Sequence, residues 1–263
     1  MFTYSIEHEN YLKRAKKTNR KIKIYKIAII ILFLSIWEIL YYCQVINSFL
    51  YSSPSLIIIN IINLIKNGLL FNHIKITIAE IIISFILTSI ISIILSSIMW
   101  FNKNLAKIIE PFLIIINSLP KVALGPLFII WIGANIKSII FMSITISIFT
   151  TIINLYQSFI TTNNNYITLL KTFKATKKDI LFKIIYPANL SNIISTLKIN
   201  MNMTFIGVIM GELLVSKEGL GYLIMYGSQV FNITLIISSV IIIGLLAALL
   251  NSIITYIEKK IIN

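Results

Sequence analysis

Lys121 is an isolated cation inside an otherwise apolar run, next to Pro120 and close to Asn117, Ser118, Gly125 and Pro126. A charge at such a depth is costly and faces either a cavity or a counter-charge. In the first case Asn117 and Lys121 line a passage suited to an anionic or electron-rich solute. In the second, Lys121 pairs with Glu80, Glu110 or Glu212 and its role is structural. Glu212 stands among Gly207, Gly211, Gly219 and Gly221, a composition that permits close helix approach followed by a tight turn. It is the other acid near a candidate passage. Catalytic chemistry finds no comparable grouping. His8 and His73 are distant in sequence, the acids are scattered singly, and no His/Asp/Glu set has metal-ligand spacing, so no catalytic residue, metal or cofactor is expected. No GxxxxGK[ST] phosphate loop occurs, so any ATP used must be hydrolysed by another chain. Cys43 is the sole cysteine, which excludes a disulfide within the chain.

The elements that hold these residues are read from apolar runs. Of 263 residues 57% are hydrophobic and 12% charged, and the mean hydropathy is positive, which a water-facing surface of this size does not accommodate. Runs of about 20 residues, the length that crosses hydrocarbon, recur. They predict spans near 27–47, 76–100, 108–132, 136–160, 196–215 and 233–257. The fold class is therefore all-α, a polytopic membrane protein of six transmembrane helices. Residues 1–26 form a basic arm and 27–263 one transmembrane domain. Residues 54–70 are broken by Asn60, Asn63, Lys66 and Asn67 and read as an interfacial amphipathic helix. The run after the arm ends in WEILYYCQVINSF, which has no small-residue cleavage site, so it is expected to stay as an anchor.

Charge decides orientation. Eight Lys or Arg precede the first run, two lie at 103 and 107, five in 163–189 and two at 259–260, against Lys66, Lys75, Lys137 and Lys217 in the alternate loops. The richer side faces the cytoplasm, so both termini are expected there. The net charge of +14 thus suits an anionic lipid surface; nucleic acid is not expected, because the basic arm abuts a span and lacks interleaved aromatics.

The longest inner loop, NNNYITLLKTFKATKKDILFKIIYPAN (163–189), is helical in pattern. Leu169, Leu170, Phe173, Ile180, Leu181, Ile184 and Ile185 fall on apolar faces, with Lys171, Lys174, Lys177, Lys178 and Asp179 opposite. Such a helix either rests on anionic lipid or enters a partner's groove. Pro187 ends it.

At this loop the sequence resembles the permeases of ATP-binding-cassette importers, whose cytoplasmic loop carries Glu-Ala-Ala, three residues, Gly, nine residues and Ile-x-Leu-Pro. Ile184 and Pro187 agree in type, Lys174 falls at the Gly position, and Thr168, Leu169 and Leu170 fall at the Glu-Ala-Ala positions. The resemblance extends from about residue 35 to the end within the nitrate/sulfonate/taurine-type subfamily. SLPKVALGPLFIIWIGANIKSIIF (118–141), GELLVSKEGLGYLI (211–224), Trp37-Glu38 and Ser53-Pro54-Ser55 each hold their family position relative to the loop. Glu80 stands where similar chains are expected to carry a basic residue.

The resemblance implies a non-catalytic permease subunit in the bacterial cell membrane. It implies a second permease copy, expected to be identical, two ATPase subunits, and an extracytoplasmic binding protein met near Glu212, Lys217 and Glu218. Docking on the ATPase is implied for Thr168, Leu169, Leu170, Lys174, Ile184 and Pro187, with Phe173 as the candidate buried knob. Similar chains import anions such as sulfonates and nitrate, and also vitamin precursors. Two other classes remain. An ion-driven secondary transporter predicts an internal repeat with matched broken helices, and a membrane-embedded lipid-active enzyme predicts convergent acids or histidines within the spans.

Overall fold

The computed structural model describes residues 6–262, and among them every regular element is helical. In chain order these are α1 (Ile6–Tyr42), α2 (Ser48–Tyr51), α3 (Pro54–Lys66), α4 (Leu69–Phe101), α5 (Lys103–Ser118), α6 (Gly125–Ile132), α7 (Ile136–Ile160), α8 (Asn164–Thr172), α9 (Lys177–Ile180), α10 (Tyr186–Ala188), α11 (Leu190–Val215), α12 (Leu220–Gln229) and α13 (Ile233–Ile262). Five stretches are long and apolar enough to cross a membrane, and six if the bent pair formed by α5 and α6 is one span. The all-α, six-span reading therefore stands.

Three boundaries differ from the sequence reading for physical reasons. The basic arm continues without a break into the first span, because 13–42 contains neither Pro nor Gly to stop a helix. The interfacial helix ends at Lys66, where Asn67 caps it and Gly68 turns the chain into α4. The third span is broken. Leu119 is extended (φ −70°, ψ 145°) because a residue before proline avoids the helical region, and the two halves meet at 85°. An unforeseen helix, α12, follows the outer turn; its ten residues are too few to span.

The core is a seam of α4, α7 and α11 built from small polar residues. Ser84, Thr88, Ser92 and Ser96 recur every fourth position on α4 and are all buried, so they form one stripe. Thr88 hydrogen-bonds Ser147 on α7 (3.2 Å), Asn200 on α11 donates to Ser89 (2.9 Å), and Ser143 donates to the Thr204 carbonyl (2.9 Å). In lipid, where apolar burial between helices gives little, close approach and such bonds hold spans together. Gly207 brings α11 against the backbone of α7: a Cβ there would come within 2.5 Å of Ser143 Cα. The junction of α1 and α3 is fastened separately. Ser53 caps α3 and Glu38 on α1 accepts from the Ser55 N–H (3.0 Å), which gives the Trp37-Glu38 and Ser53-Pro54-Ser55 pairs a shared purpose.

Candidate functional site

Residues 163–189 fold into a short lever. Asn163 caps α8 through Asn165 N–H (2.9 Å), and the helix ends where Ala175 N–H reaches back to the Leu170 carbonyl (3.1 Å). That reversal puts Lys174 at φ 56°, a left-handed conformation that glycine adopts freely and lysine does not. The family's Gly position is therefore a real turn position here. Thr176 and Asp179 then form a capping box opening α9: Thr176 Oγ1 accepts from Asp179 N–H (3.2 Å), and the Asp179 carboxylate accepts from Thr176 N–H (3.1 Å). Hydrogen bonds from Lys183 (2.8 Å) and Thr176 hold the Asp179 carboxyl down at about 2. A π-helical turn over Leu181–Ile185 runs directly into α10, where Pro187 sits in the first turn, the place a missing N–H is tolerated. The proline therefore opens a helical turn and does not end the helix as the sequence reading expected.

Burial sorts the lever into two faces. Ile180, Leu181 and Ile185 are buried against Leu155 and Phe159 of α7, and Leu170 and Ile184 pack beside them. Tyr186 meets Ser97 of α4 (2.8 Å), and buried Asn189 donates to Thr162 at the end of α7 (2.6 Å). The opposite face is open: Phe173 is 77% exposed and Leu169 55%, with Thr168, Lys174 and Pro187 also exposed. Two aromatics escaped the sequence reading, Tyr166 and Phe182, both exposed. Tyr166 was legible, since it lies three residues before Leu169 and seven before Phe173 on one helical stripe.

Asn117 and Lys121 come together at the break in the third span. Lys121 Nζ donates to Asn117 Oδ1 (2.7 Å) and to the Ile146 carbonyl (3.2 Å), and lies 5.6 Å from the centre of the Phe149 ring. Thr150 also donates to Asn117 Oδ1 (2.9 Å). None of the three acids considered as counter-charges pairs with Lys121: Glu110 accepts from Gln157 (3.0 Å), Glu212 is bonded elsewhere, and Glu80 takes part in no ion pair. The counter-charge is instead an amide oxygen, the Ile146 carbonyl of α7 and an aromatic face, each weakly negative.

Glu212 lies apart from this cluster and is fully buried. One carboxylate oxygen accepts from Thr77 (2.6 Å) and the other from Gly221 N–H (2.6 Å). Thr77 in turn accepts from Leu220 N–H (2.9 Å), and His73 Nδ1 from Gly219 N–H (2.9 Å). Gly219 has φ 104°, and a Cβ on it would collide with the Glu212 carboxylate, so the GELLVSKEGLG stretch encodes one self-fitted turn. Lys217 and Glu218 are exposed beside it.

Comparison with known proteins agrees with this geometry. Residues 88–263 match the family described as binding-protein-dependent transport system inner membrane component. The formylaminopyrimidine transport permease protein ThiX of Halalkalibacterium halodurans is 32% identical over 174 residues, covering 66% of this chain and 69% of that protein. A Bacillus subtilis protein named for aliphatic sulfonates transport, the permease SsuC, is 24% identical over 230 residues, covering 88% and 83%. The solved structure of the MetNI methionine ABC transporter, in inward-facing form, shares the fold with a TM-score of 0.63 at 17% identity, over 74% of this chain and 94% of that one. The match over residues 88–263 and the identity to permease proteins place the chain in the binding-protein-dependent transport system inner membrane component family, among the permease subunits of ABC importers.

Proposed function

We propose that this chain forms, with a second copy of itself, the translocation pathway of an ATP-driven importer, and that Thr168, Leu169, Leu170, Phe173, Lys174, Ile184 and Pro187 belong to the lever that couples it to a separate ATP-binding-cassette ATPase. ATP is hydrolysed by that partner and not by this chain. Both termini and the lever face the cytoplasm of the bacterial cell, and an extracytoplasmic binding protein delivers a small solute at the opposite face. The relatives' names point to an anion or to a vitamin precursor.

The observation that carries this reading is the two-faced lever. A helix resting on lipid would turn its large apolar side chains toward the bilayer. Here the bilayer-side residues are already buried among α4 and α7, while Leu169 and Phe173 project from the other face as a small apolar tip. Leu170 and Ile184 anchor the lever and the exposed residues meet the partner, so motion of the tip is passed to the spans through Tyr186–Ser97 and Asn189–Thr162.

Mild-detergent purification of the tagged chain from its native host, with mass-spectrometric identification of bound proteins, tests the assignment. An ATP-binding-cassette ATPase is expected to co-purify from the wild-type chain and to be lost with Phe173→Asp. A chain that purifies alone and is inert to ATP would return belief to an autonomous transporter or enzyme.

A further inference from the structure

The junction of α4 and α5 faces the end of α7 and the start of the lever across a cleft of about 710 Å³. Four lysines stand in its wall: Lys103 and Lys107 from the first turns of α5, Lys171 from α8 and Lys177 from α9. All four are exposed, and among the described residues none forms an ion pair. The acids on the same elements are outside the lining. Glu110 accepts from Gln157, Asp179 holds Lys183 and Thr176, and Glu80 lies in the other half of α4. Nothing in the cleft offsets the four charges, and the positive end of the α5 dipole adds to them. Lys177 Nζ donates to the Phe101 carbonyl (3.3 Å), which holds α9 against the end of α4.

The floor is apolar and aromatic. Met99 and Phe159 are buried, Trp100 meets Phe101 edge to face (5.5 Å), and Tyr156, 8% exposed, makes no side-chain hydrogen bond among the described residues. These residues stand at the ends of the apolar runs of α4 and α7, the level at which aromatic side chains gather at a membrane surface. From the rim of the cleft Asn104, Ile108, Phe112 and Ile115 follow one another at helical spacing on α5, and all four are exposed, so an apolar stripe leaves the cleft along the span. A soluble phosphate would use the lysines and leave floor and stripe unused. A lipid with a charged phosphate uses both, and basic pockets between spans are where such headgroups bind. We propose that this cleft seats the phosphodiester headgroup of an anionic phospholipid from the leaflet on the lever side, with an acyl chain along the stripe on α5. Asn164, Ile167 and Lys171 come from the face of α8 opposite Leu169 and Phe173, so the lipid braces the lever against α4 and α5 while the tip stays free. This goes beyond the permease reading and does not depend on it.

The test follows thermal unfolding of the purified full-length chain in mild detergent as dioleoylphosphatidylglycerol, dioleoylphosphatidylcholine or glycerol 1-phosphate is added. The anionic lipid is expected to raise the midpoint, and the zwitterionic lipid and the soluble phosphate to leave it unchanged. Lys103→Gln with Lys107→Gln should raise the half-effective lipid fraction about tenfold or more, the loss expected for two lysines meeting an anionic head. Both are exposed at the start of a helix whose dipole opposes them, so this variant is expected to fold. Lys259→Gln with Lys260→Gln, exposed at the end of α13, should change nothing, which separates the cleft from the general attraction of a basic protein to anionic lipid. No shift with the anionic lipid, an equal shift with either other probe, an equal loss in the Lys259 and Lys260 variant, or no loss in the Lys103 and Lys107 variant overturns the site. So does loss of a co-purifying ATPase from the Lys103 and Lys107 variant with the lipid effect intact, which would make the cleft a protein contact.

Discussion

Lys174 occupies a left-handed backbone conformation at the bend of the lever, and a lysine held there is strained by about 1–2 kcal/mol. Lys174→Gly is therefore expected to stabilise the chain by about 0.5–1 kcal/mol, once the greater freedom of glycine in the unfolded chain is subtracted. Thermal unfolding in detergent checks this, and an unchanged or lower midpoint contradicts it. At Lys121 the expectation is the reverse. Lys121→Met removes two hydrogen bonds at the helix break and leaves the Ile146 carbonyl and Asn117 under-satisfied, at a cost of about 1–3 kcal/mol. Asp179 gives a pH prediction. Its carboxyl is held down to about 2 by Lys183 and Thr176, below the 3.8 of an unperturbed aspartate, so the capping box is at full strength above pH 3.8 and is lost as pH falls through about 2. The carboxyl carbon shift of labelled Asp179 should titrate near 2; a midpoint near 4 would mean the box does not form. Among these residues the sequence made Lys121 conspicuous but hid its partners. An amide oxygen, a backbone carbonyl and a ring face carry no formal charge, whereas a search for counter-ions considers only acids.

In the proposed function, coupling depends on the lever. Asn189→Ala would strip buried Thr162 of its partner and cost about 1–3 kcal/mol, while leaving the apolar tip intact. Uptake per ATP hydrolysed should fall although ATPase binding persists. Equal uptake would show that the lever's anchoring does not matter. The apolar run lengths gave the spans, since lipid imposes a length that sequence displays directly. They did not show the 85° break, because Pro120 and Pro126 sit in a run whose hydropathy is continuous. Nor did they show α12, ten residues with two glycines that read as turn and which fold against α13 only because the Glu212 turn aims them there. The small-residue stripe on α4 was legible as a four-residue period, obscured by the isoleucines between its members.

At the scale of the whole molecule, six spans with the bent pair counted as one bring the two ends of the chain to the same side, and the proposal that this side faces the cytoplasm rests on its basic residues. Cys43, the only cysteine and an exposed one, sits just past the outer end of α1 and serves as a reporter. A membrane-impermeant maleimide should label it in intact cells, whereas a cysteine placed at Lys259 in a Cys43→Ser background should react only after lysis. The reverse pattern would invert the topology. The fold thus follows from hydropathy and the proposed orientation from charge, but the solute does not. Glu80 can be recognised as a buried acid set beside Glu212 only after α4 and α11 have packed together.

The central claim is that the exposed tip of the lever meets an ATPase, and photo-crosslinking from position 173 tests it most directly. With a benzophenone amino acid in place of Phe173, illumination of native membranes is expected to yield an adduct with an ATP-binding-cassette subunit. Adducts confined to lipid would contradict the account.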